Sequence, residues 1–227
     1  MDIVTDVIAD TRRGGVSGGL YALVDTSYVG PAEMERVAEE LLEGGASVLQ
    51  LRAKGLGAAD MLARAWTLRR ITALYNVPFI VNDRVDVALL CGADGVHLGQ
   101  DDLPLVEARR LMGGGAVIGV STHCVEEARR AASDGADYVA FGPIYPTRSK
   151  EDAHRPKGAA GLAAVAASVD IPVTAIGGIT SESVAELIEK GASSVAIISD
   201  LLQAPDIRSR TERIVGIIES VQRGGGG

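Results

Sequence analysis

The sequence has little of several features that would assign a protein to a specialised class. Only two cysteines are present, Cys91 and Cys124, and they form neither a CxxC motif nor a metal-ligand spacing, which is typical of reduced thiols in a cytosolic protein. Aromatic residues make up 4% of the chain, so a core has to be built from Val, Ile, Leu and Ala. No uninterrupted apolar run is long enough to cross a bilayer, and residues 1–10 lack the regions of a signal peptide. We expect a soluble, cytoplasmic protein.

The chain also lacks an excess of positive charge. It carries 22 Lys and Arg against 30 Asp and Glu, a formal net charge of −8. A nucleic-acid partner is therefore not expected, because phosphate backbones require a basic surface, and no membrane partner is expected either. Small anionic substrates remain compatible with this charge where cations cluster locally. The sequence does not fix the oligomeric state and leaves a homodimer open.

What is present is a regular alternation of short apolar strands and helical segments. Strands are predicted at 20–24, 47–51, 79–82, 95–99, 117–121, 138–143, 173–177 and 194–199. Helical spacing of apolar residues predicts helices at 32–43, 58–75, 125–134 and 181–190. Several strands follow a Gly-Ala pair, which is typical of a helix end that turns the chain into the next strand.

About eight strand–helix units in a chain of this length favour a single-domain (β/α)₈ TIM barrel, of the α/β class. The main alternative is a doubly wound open sheet, which shares the same alternation. We expect an N-terminal extension at 1–19, a barrel domain at 20–222 and a glycine-rich tail at 223–227.

Two carboxylates follow consecutive strands. Asp83 comes after the third predicted strand and Asp102 after the fourth. If these strands are parallel neighbours, both acids lie at the same mouth, where they suit Mg²⁺, which takes one or two carboxylates together with substrate phosphate oxygens. The simpler explanation for each acid alone is a helix N-cap, and the two explanations are compatible.

Other polar residues also lie at strand ends. Gln50, Arg52 and Lys54 alternate along the second strand end and so face one side, although an exposed basic strand end would look the same. Asn82 ends the third strand and could cap a helix. Ser121 ends the fifth strand, where it could bind a substrate or cap the following helix.

Two histidines are weaker candidates. His123 follows the fifth strand and could act as a base, but no partner acid can be assigned to it from the sequence. His97 lies within a strand and is interpreted as a core histidine with satisfied hydrogen bonds.

A second anion site is predicted from the last three strands. The long loop after the sixth strand contains Thr147, Ser149 and Lys150, two hydroxyls and a cation suited to phosphate. Gly177 and Gly178 follow the seventh strand, in a region where barrels commonly hold phosphate with backbone N–H groups. Two anion sites in one barrel suggest that two phosphorylated substrates are joined between them.

At these residues the sequence resembles the thiamine-phosphate synthase family over about residues 20–202. The matching stretches are 50–54, 82–102 with GADGVHLGQDDLP, 118–123, 135–150 and 171–179. The resemblance implies a (β/α)₈ barrel that joins hydroxymethylpyrimidine pyrophosphate to hydroxyethylthiazole phosphate and releases pyrophosphate. It implies a dissociative reaction, in which a pyrimidinylmethyl cation forms and the thiazole nitrogen captures it.

The resemblance also implies roles for individual residues. The residues expected to bind the pyrimidine pyrophosphate are Gln50, Arg52, Lys54, Asn82, Ser121 and Lys150, and of these Arg52, Lys54, Ser121 and Lys150 are expected to be catalytic. The residues expected to bind the thiazole phosphate are Thr147, Ser149, Gly178, Ile198 and Ser199. Asp83 and Asp102 are expected to hold Mg²⁺.

Three positions depart from the family pattern. Ala53 stands where an acid is usual, Ser149 stands where Thr is usual, and Asp200 replaces a small residue. Ala53 should face away from Arg52, and Ser149 keeps a hydroxyl. Asp200 would weaken binding of the thiazole phosphate unless its side chain points away. Two alternatives therefore stay open, a thiazole tautomerase-like paralogue of the same fold and a non-catalytic binder of thiamine-pathway phosphates.

Overall fold

The computed structural model describes residues 16, 18–147 and 155–224. Eight parallel strands form a closed barrel in sequence order. They are β1 Gly19–Asp25, β2 Val48–Arg52, β3 Phe79–Asn82, β4 Gly95–Leu98, β5 Val117–Thr122, β6 Tyr138–Phe141, β7 Val173–Ile176 and β8 Ser194–Ile197. The barrel closes through β1 and β8, with Leu20 opposite Val195 and Ala22 opposite Ile197. This closure confirms the predicted TIM barrel and excludes the doubly wound open sheet.

Helices follow the strands around the outside of the barrel. They are α1 Met34–Glu43, α2 Ala58–Tyr75, α3 Val85–Cys91, α4 Leu105–Met112, α5 Val125–Ser133, α6 Gly158–Ala166, α7 Val184–Glu189, α8 Ser199–Leu202 and α9 Ile207–Gly224. In the described part of the chain, none of these helices is long and apolar enough to cross a bilayer. The domain boundaries stay a prediction.

Alternation along the strands separates two apolar regions. Leu20, Ala22 and Val24 of β1 are fully buried in the large cluster between the strands and the helices. Tyr21 and Leu23, which point the other way, belong to a smaller cluster in the barrel interior. One of these inward-facing residues is a tyrosine, so the barrel interior also contains a polar atom that needs a hydrogen-bond partner.

Some predicted elements are shorter in the structure. β6 ends at Phe141 rather than at 143, because the chain then turns and pairs with the segment after β7, with the Ile144 N–H donating to the Ile176 carbonyl at 2.9 Å. α7 begins at Val184 rather than at 181, with Ser183 at its N-cap, so Ser181 does not belong to the helix. The hydroxyl of Ser181 instead donates to Glu182 at 2.9 Å.

Candidate functional site

A cavity of about 580 Å³ lies at the carboxyl-terminal end of the barrel strands, where TIM-barrel enzymes carry their active sites. Every predicted site residue within the described ranges lines this cavity. These residues are Gln50, Arg52, Lys54, Asn82, Asp83, Asp102, Ser121, Thr147, Gly178, Ile198 and Ser199. The other two, Ser149 and Lys150, lie outside the described residues.

The end of β2 brings two cations to one wall of the cavity. Arg52 donates from Nη1 to Oδ2 of Asp25 at 2.5 Å, and the side chain of Asp25 has no exposed surface. Lys54 is half exposed and forms an ion pair with Asp83. Ala53 between them is buried in the outer core, as predicted from the alternation. The strand therefore directs both cations toward the cavity and fixes one of them with a buried carboxylate.

Asp25 is a site residue that the sequence reasoning missed. It is the last residue of β1, so the rule that strand ends carry the chemistry would have selected it. Besides Arg52, it accepts a hydrogen bond from the Ser27 N–H at 2.8 Å. Its carboxylate thus has both a charged and a backbone donor.

The two carboxylates after β3 and β4 are neighbours. Asp83 has a left-handed backbone, with φ of 63°, and its N–H donates to the His97 carbonyl at 2.8 Å. Asp102 accepts a hydrogen bond from the Gly99 N–H at 2.6 Å. Burial first, and then the adjacent Asp83 carboxyl, raise the pKa of Asp102, while the Gly99 N–H and the Lys54 ammonium oppose this rise.

Neither carboxylate is an N-cap. The N-cap position of α3 is Arg84 and that of α4 is Pro104. The capping explanation for Asp83 and Asp102 is therefore wrong, because Asp83 precedes the N-cap residue of α3 and Asp102 precedes that of α4. Asp86, in the first turn of α3, is exposed and paired with Arg84 at 2.5 Å, as expected for a solvated helix residue.

A hydrogen-bonded network of side chains crosses the barrel interior, and all of its members line the cavity. Gln50 Nε2 donates to the Tyr21 hydroxyl at 2.8 Å, and the hydroxyls of Tyr21 and Tyr138 are 2.8 Å apart. Tyr138 is 3.0 Å from Nδ1 of His97, whose Nε2 is 2.9 Å from Oγ of Ser121. His97 is a buried histidine with satisfied hydrogen bonds, as interpreted from the sequence, but it also lines the cavity.

Sequence reasoning missed both tyrosines of this hydrogen-bonded network, Tyr21 and Tyr138. Each is fully buried, and burial raises the pKa of Tyr138 well above its ordinary value and raises the pKa of Tyr21 as well. The available signal was their position: Tyr21 and Gln50 both occupy inward-facing sites on neighbouring strands, with Leu23 opposite Gln50 in the register.

His123 lies at the edge of the cavity. Its Nδ1 is 2.7 Å from the carbonyl oxygen of Gly142, which can only accept, so Nδ1 carries a proton. The backbone N–H of His123 donates to Glu127 at 2.7 Å. Glu127 thus binds the backbone and not the ring at this contact.

The segments after β7 and β8 form the opposite wall. Gly177 and Gly178 both have positive φ, at 99° and 66°. A Cβ atom at Gly178 would lie 2.5 Å from the Pro146 carbonyl oxygen, so the glycine allows the loop after β6 to pack here. Ile198 and Ser199 complete this wall at the start of α8.

Asp200 points away from the cavity. Its Oδ1 pairs with Arg210 of α9 at 2.7 Å, and its Oδ2 accepts from the Ser181 N–H at 3.3 Å. It is not among the residues that line the cavity. The side chain of Asp200 thus points away from Ser199, and Arg210 pairs with its charge on the outer side.

Within the described ranges, no group of three or more His, Cys, Asp or Glu side chains is arranged to hold a metal ion. The two carboxylates Asp83 and Asp102 are a smaller donor set. Such a pair fits a hard cation that takes its other ligands from water and substrate phosphate oxygens.

Comparison with known proteins shows the family of this chain. The family model described as thiamine monophosphate synthase matches residues 20–201. A thiamine-phosphate synthase of Halalkalibacterium halodurans is 42% identical over 205 residues, covering 90% of this chain and 96% of the relative. One of Chloroflexus aurantiacus is 41% identical over 203 residues, covering 89% and 94%. The solved structure of thiamine phosphate pyrophosphorylase from Pyrococcus furiosus is 38% identical with a TM-score of 0.83, covering 90% of this chain and 97% of that one. The chain belongs to the thiamine-phosphate synthase family.

Proposed function

We propose that this chain joins hydroxymethylpyrimidine pyrophosphate to hydroxyethylthiazole phosphate, giving thiamine phosphate and pyrophosphate. The observation that carries the proposal is the meeting of Asp83 and Asp102 with Arg52 and Lys54 in one cavity. A carboxylate pair beside two cations suits a pyrophosphate that is bound partly through a metal ion and partly directly. A cytoplasmic location and a homodimer stay predictions.

The residues fit a magnesium ion. Burial and then the adjacent Asp83 carboxyl raise the pKa of Asp102, and a bound divalent cation would relieve the repulsion between the two acids. Lys54 already pairs with Asp83, so the site attracts positive charge. When bound, Mg²⁺ would neutralise charge on the departing pyrophosphate and orient it.

The pyrophosphate and pyrimidine would lie along β2 to β5. Arg52, held by Asp25, and Lys54 would contact the pyrophosphate oxygens, and Lys150 is assigned to the same group by family resemblance. Gln50, Asn82 and Ser121 would contact the pyrimidine ring. Fixed cations at a developing anion stabilise the transition state without reorganising, which is the largest single contribution in many enzymes.

The thiazole phosphate would lie on the opposite wall. Gly178, Ile198 and Ser199 would contact its phosphate through backbone N–H groups and one hydroxyl, in the region where TIM barrels hold phosphate. Thr147 lines the cavity nearby, and Ser149 is assigned here by resemblance. The two substrates would then face each other across the barrel mouth.

The reaction needs no nucleophile from the protein. The bond between the pyrimidine methylene carbon and the pyrophosphate oxygen breaks, and the electron pair leaves with pyrophosphate. The lone pair of the thiazole nitrogen then forms the new carbon–nitrogen bond. The task of the side chains is to bind the leaving group and to hold both rings at reacting distance.

The test is thiamine phosphate formation by the purified chain from the two substrates, with Mg²⁺ and with EDTA. We expect product with the metal and none with EDTA. Isomerisation of a thiazole phosphate without any use of the pyrimidine would support the tautomerase-like paralogue. Binding of both phosphates by a folded chain that forms no product would support the non-catalytic binder.

A further inference from the structure

The side-chain network inside the barrel has a direction that can be worked out atom by atom. It runs from Gln50 through Tyr21, Tyr138 and His97 to Ser121. Both ends line the cavity, and both tyrosines are fully buried. Buried hydroxyl hydrogens need acceptors, since an unsatisfied one costs the full desolvation of that group.

The first donor in the network is the side-chain amide of Gln50. Gln50 contacts Tyr21 through Nε2, an amide nitrogen that can donate but not accept. Among the described residues, Tyr21 hydrogen-bonds only with Gln50 and Tyr138. Its own hydrogen therefore has one acceptor, the oxygen of Tyr138.

The same reasoning fixes the next two bonds. Tyr138 accepts from Tyr21, and its remaining partner in the described part of the chain is Nδ1 of His97 at 3.0 Å. Its hydrogen must go to Nδ1, so that nitrogen is unprotonated. The proton of a neutral ring then lies on Nε2, which donates to Oγ of Ser121 at 2.9 Å. Burial keeps both tyrosines protonated by raising the pKa of each phenol.

We infer that Tyr21, Tyr138 and His97 are positioning residues that set which atoms of Gln50 and Ser121 face the substrate. Because Nε2 of His97 donates to Oγ of Ser121, the Ser121 hydrogen is directed into the cavity as a donor. Because Nε2 of Gln50 is held by Tyr21, its Oε1 is left as an acceptor. This inference rests on the proposed function only for the identity of the ligand.

A donor at Ser121 and an acceptor at Gln50 recognise a particular class of ring. A heterocycle with an exocyclic amino group and a ring nitrogen lone pair matches both, as the aminopyrimidine of the proposed substrate does. An oxo group in place of the amino group would meet Oε1 of Gln50 with another acceptor. Gln50 could flip its amide only if every hydrogen bond of the network reversed, which would move the His97 proton from Nε2 to Nδ1.

The test compares two variants, each of which removes one of the two hydrogen-bonded tyrosine hydroxyls. Tyr138→Phe removes the donor to His97. Tyr21→Phe leaves the Tyr138 hydroxyl free to donate to Nδ1, so it is the matched control for packing. Proton-detected ¹⁵N spectra of histidine-labelled full-length chain report the tautomer. The chain has three histidines, and the His97 signal is assigned by its loss in His97→Gln.

In the unsubstituted chain and in Tyr21→Phe we expect an unprotonated Nδ1 and a protonated Nε2, and in Tyr138→Phe a mixture of tautomers. A wild-type His97 protonated at Nδ1, or an equal change in both variants, would overturn the inference. The spectrum reports the His97 tautomer without any turnover, so its result is independent of whether the proposed activity is correct. The wild-type spectrum alone is decisive if a variant fails to fold.

Kinetics test the consequence for the substrate. Tyr138→Phe should raise the KM for the pyrimidine pyrophosphate about tenfold, the effect of one lost hydrogen bond. In the Ser121→Ala background the same substitution should have little further effect, because the group that it positions is gone. Equal effects in both backgrounds would show that Tyr138 acts through packing alone.

Tyr21→Phe should reduce the ratio of kcat/KM for the aminopyrimidine substrate to that for its oxo analogue, because Gln50 is no longer held by Tyr21. An unchanged ratio would show that Tyr21 does not position Gln50.

Discussion

Asp25 and Arg52 form an ion pair of 2.5 Å at the cavity wall, and the carboxylate side of the pair is completely enclosed. The guanidinium is also largely covered, with 15% of its side-chain surface exposed. The pair joins the ends of β1 and β2, where Asp25 lies opposite Arg52 in the register. The barrel therefore fixes the Arg52 guanidinium in place before any substrate binds.

Asp25→Asn should weaken both folding and substrate binding. The substitution leaves a nearly buried guanidinium without its counter-charge, which should lower the free energy of unfolding by about 3 kcal/mol. Urea unfolding measures this change, and the KM for the pyrimidine pyrophosphate should rise in the same variant. The control is Glu40→Gln, which removes the charge from the exposed pair with Arg36 and should cost less than about 0.5 kcal/mol. Equal losses in the two variants would contradict a special role for Asp25.

Asp83→Asn and Asp102→Asn should each reduce turnover about a hundredfold at a fixed, moderate concentration of Mg²⁺, because one of two charged metal ligands is lost. Titration of activity with Mg²⁺ is the measurement, and a shift of the half-saturating concentration to higher values is expected in both variants. Asp86→Asn, three residues along from Asp83 and exposed, is the control and should follow the unsubstituted chain. Identical Mg²⁺ titrations in all three variants would show that Asp83 and Asp102 do not bind the metal ion.

Gly178→Ala tests whether the wall opposite the carboxylates depends on close packing. Gly178 has φ of 66°, and an added Cβ would lie 2.5 Å from the Pro146 carbonyl oxygen and 2.9 Å from the Tyr145 Cβ. Gly92 has φ of 65° with nothing within 4 Å of its Cβ position, so Gly92→Ala carries the backbone cost without the clash. That cost is about 1 kcal/mol.

Gly178→Ala should therefore be the less stable of the two variants and should also raise the KM for the thiazole phosphate. Thermal unfolding and steady-state kinetics measure the two effects. If the two alanine variants unfold at the same temperature, the loop after β6 can move aside at no cost. An unchanged KM for the thiazole phosphate would show that Gly178 does not contribute to binding its phosphate.

The architecture could be predicted from the sequence because its signals are local. Apolar runs, Gly-Ala helix ends and the rule that chemistry follows strand ends are each visible within a few residues. Gly92, for example, ends α3 in the left-handed conformation that the Gly-Ala pattern predicts. The same local rule places Asp83, Asp102 and Ser121 at one cavity, because parallel neighbouring strands end at the same face of a barrel.

The partners of buried polar groups could not be predicted in this way. Tyr21 and Tyr138 come from β1 and β6, which are not neighbours in the sheet, and they meet only because the barrel closes. Alternation shows that Tyr21 faces inward but does not show which side chain it contacts. Similarly, the sequence around Asp200 shows a charge beside Ser199, whereas its direction depends on Arg210 in the next helix.

Asp200→Ala should therefore affect stability more than substrate binding. The carboxylate pairs with Arg210, whose side chain is 29% exposed, so its removal should lower the free energy of unfolding by about 1 kcal/mol. The KM for the thiazole phosphate should stay within about twofold, because the charge faces α9 and contributes little at the cavity. Arg210→Ala is the matched control, and the double variant should lose less than the sum of the single losses, since both single variants break the same contact. A clear fall in KM in Asp200→Ala alone would show instead that the carboxylate repels the phosphate and that its pairing with Arg210 does not neutralise it.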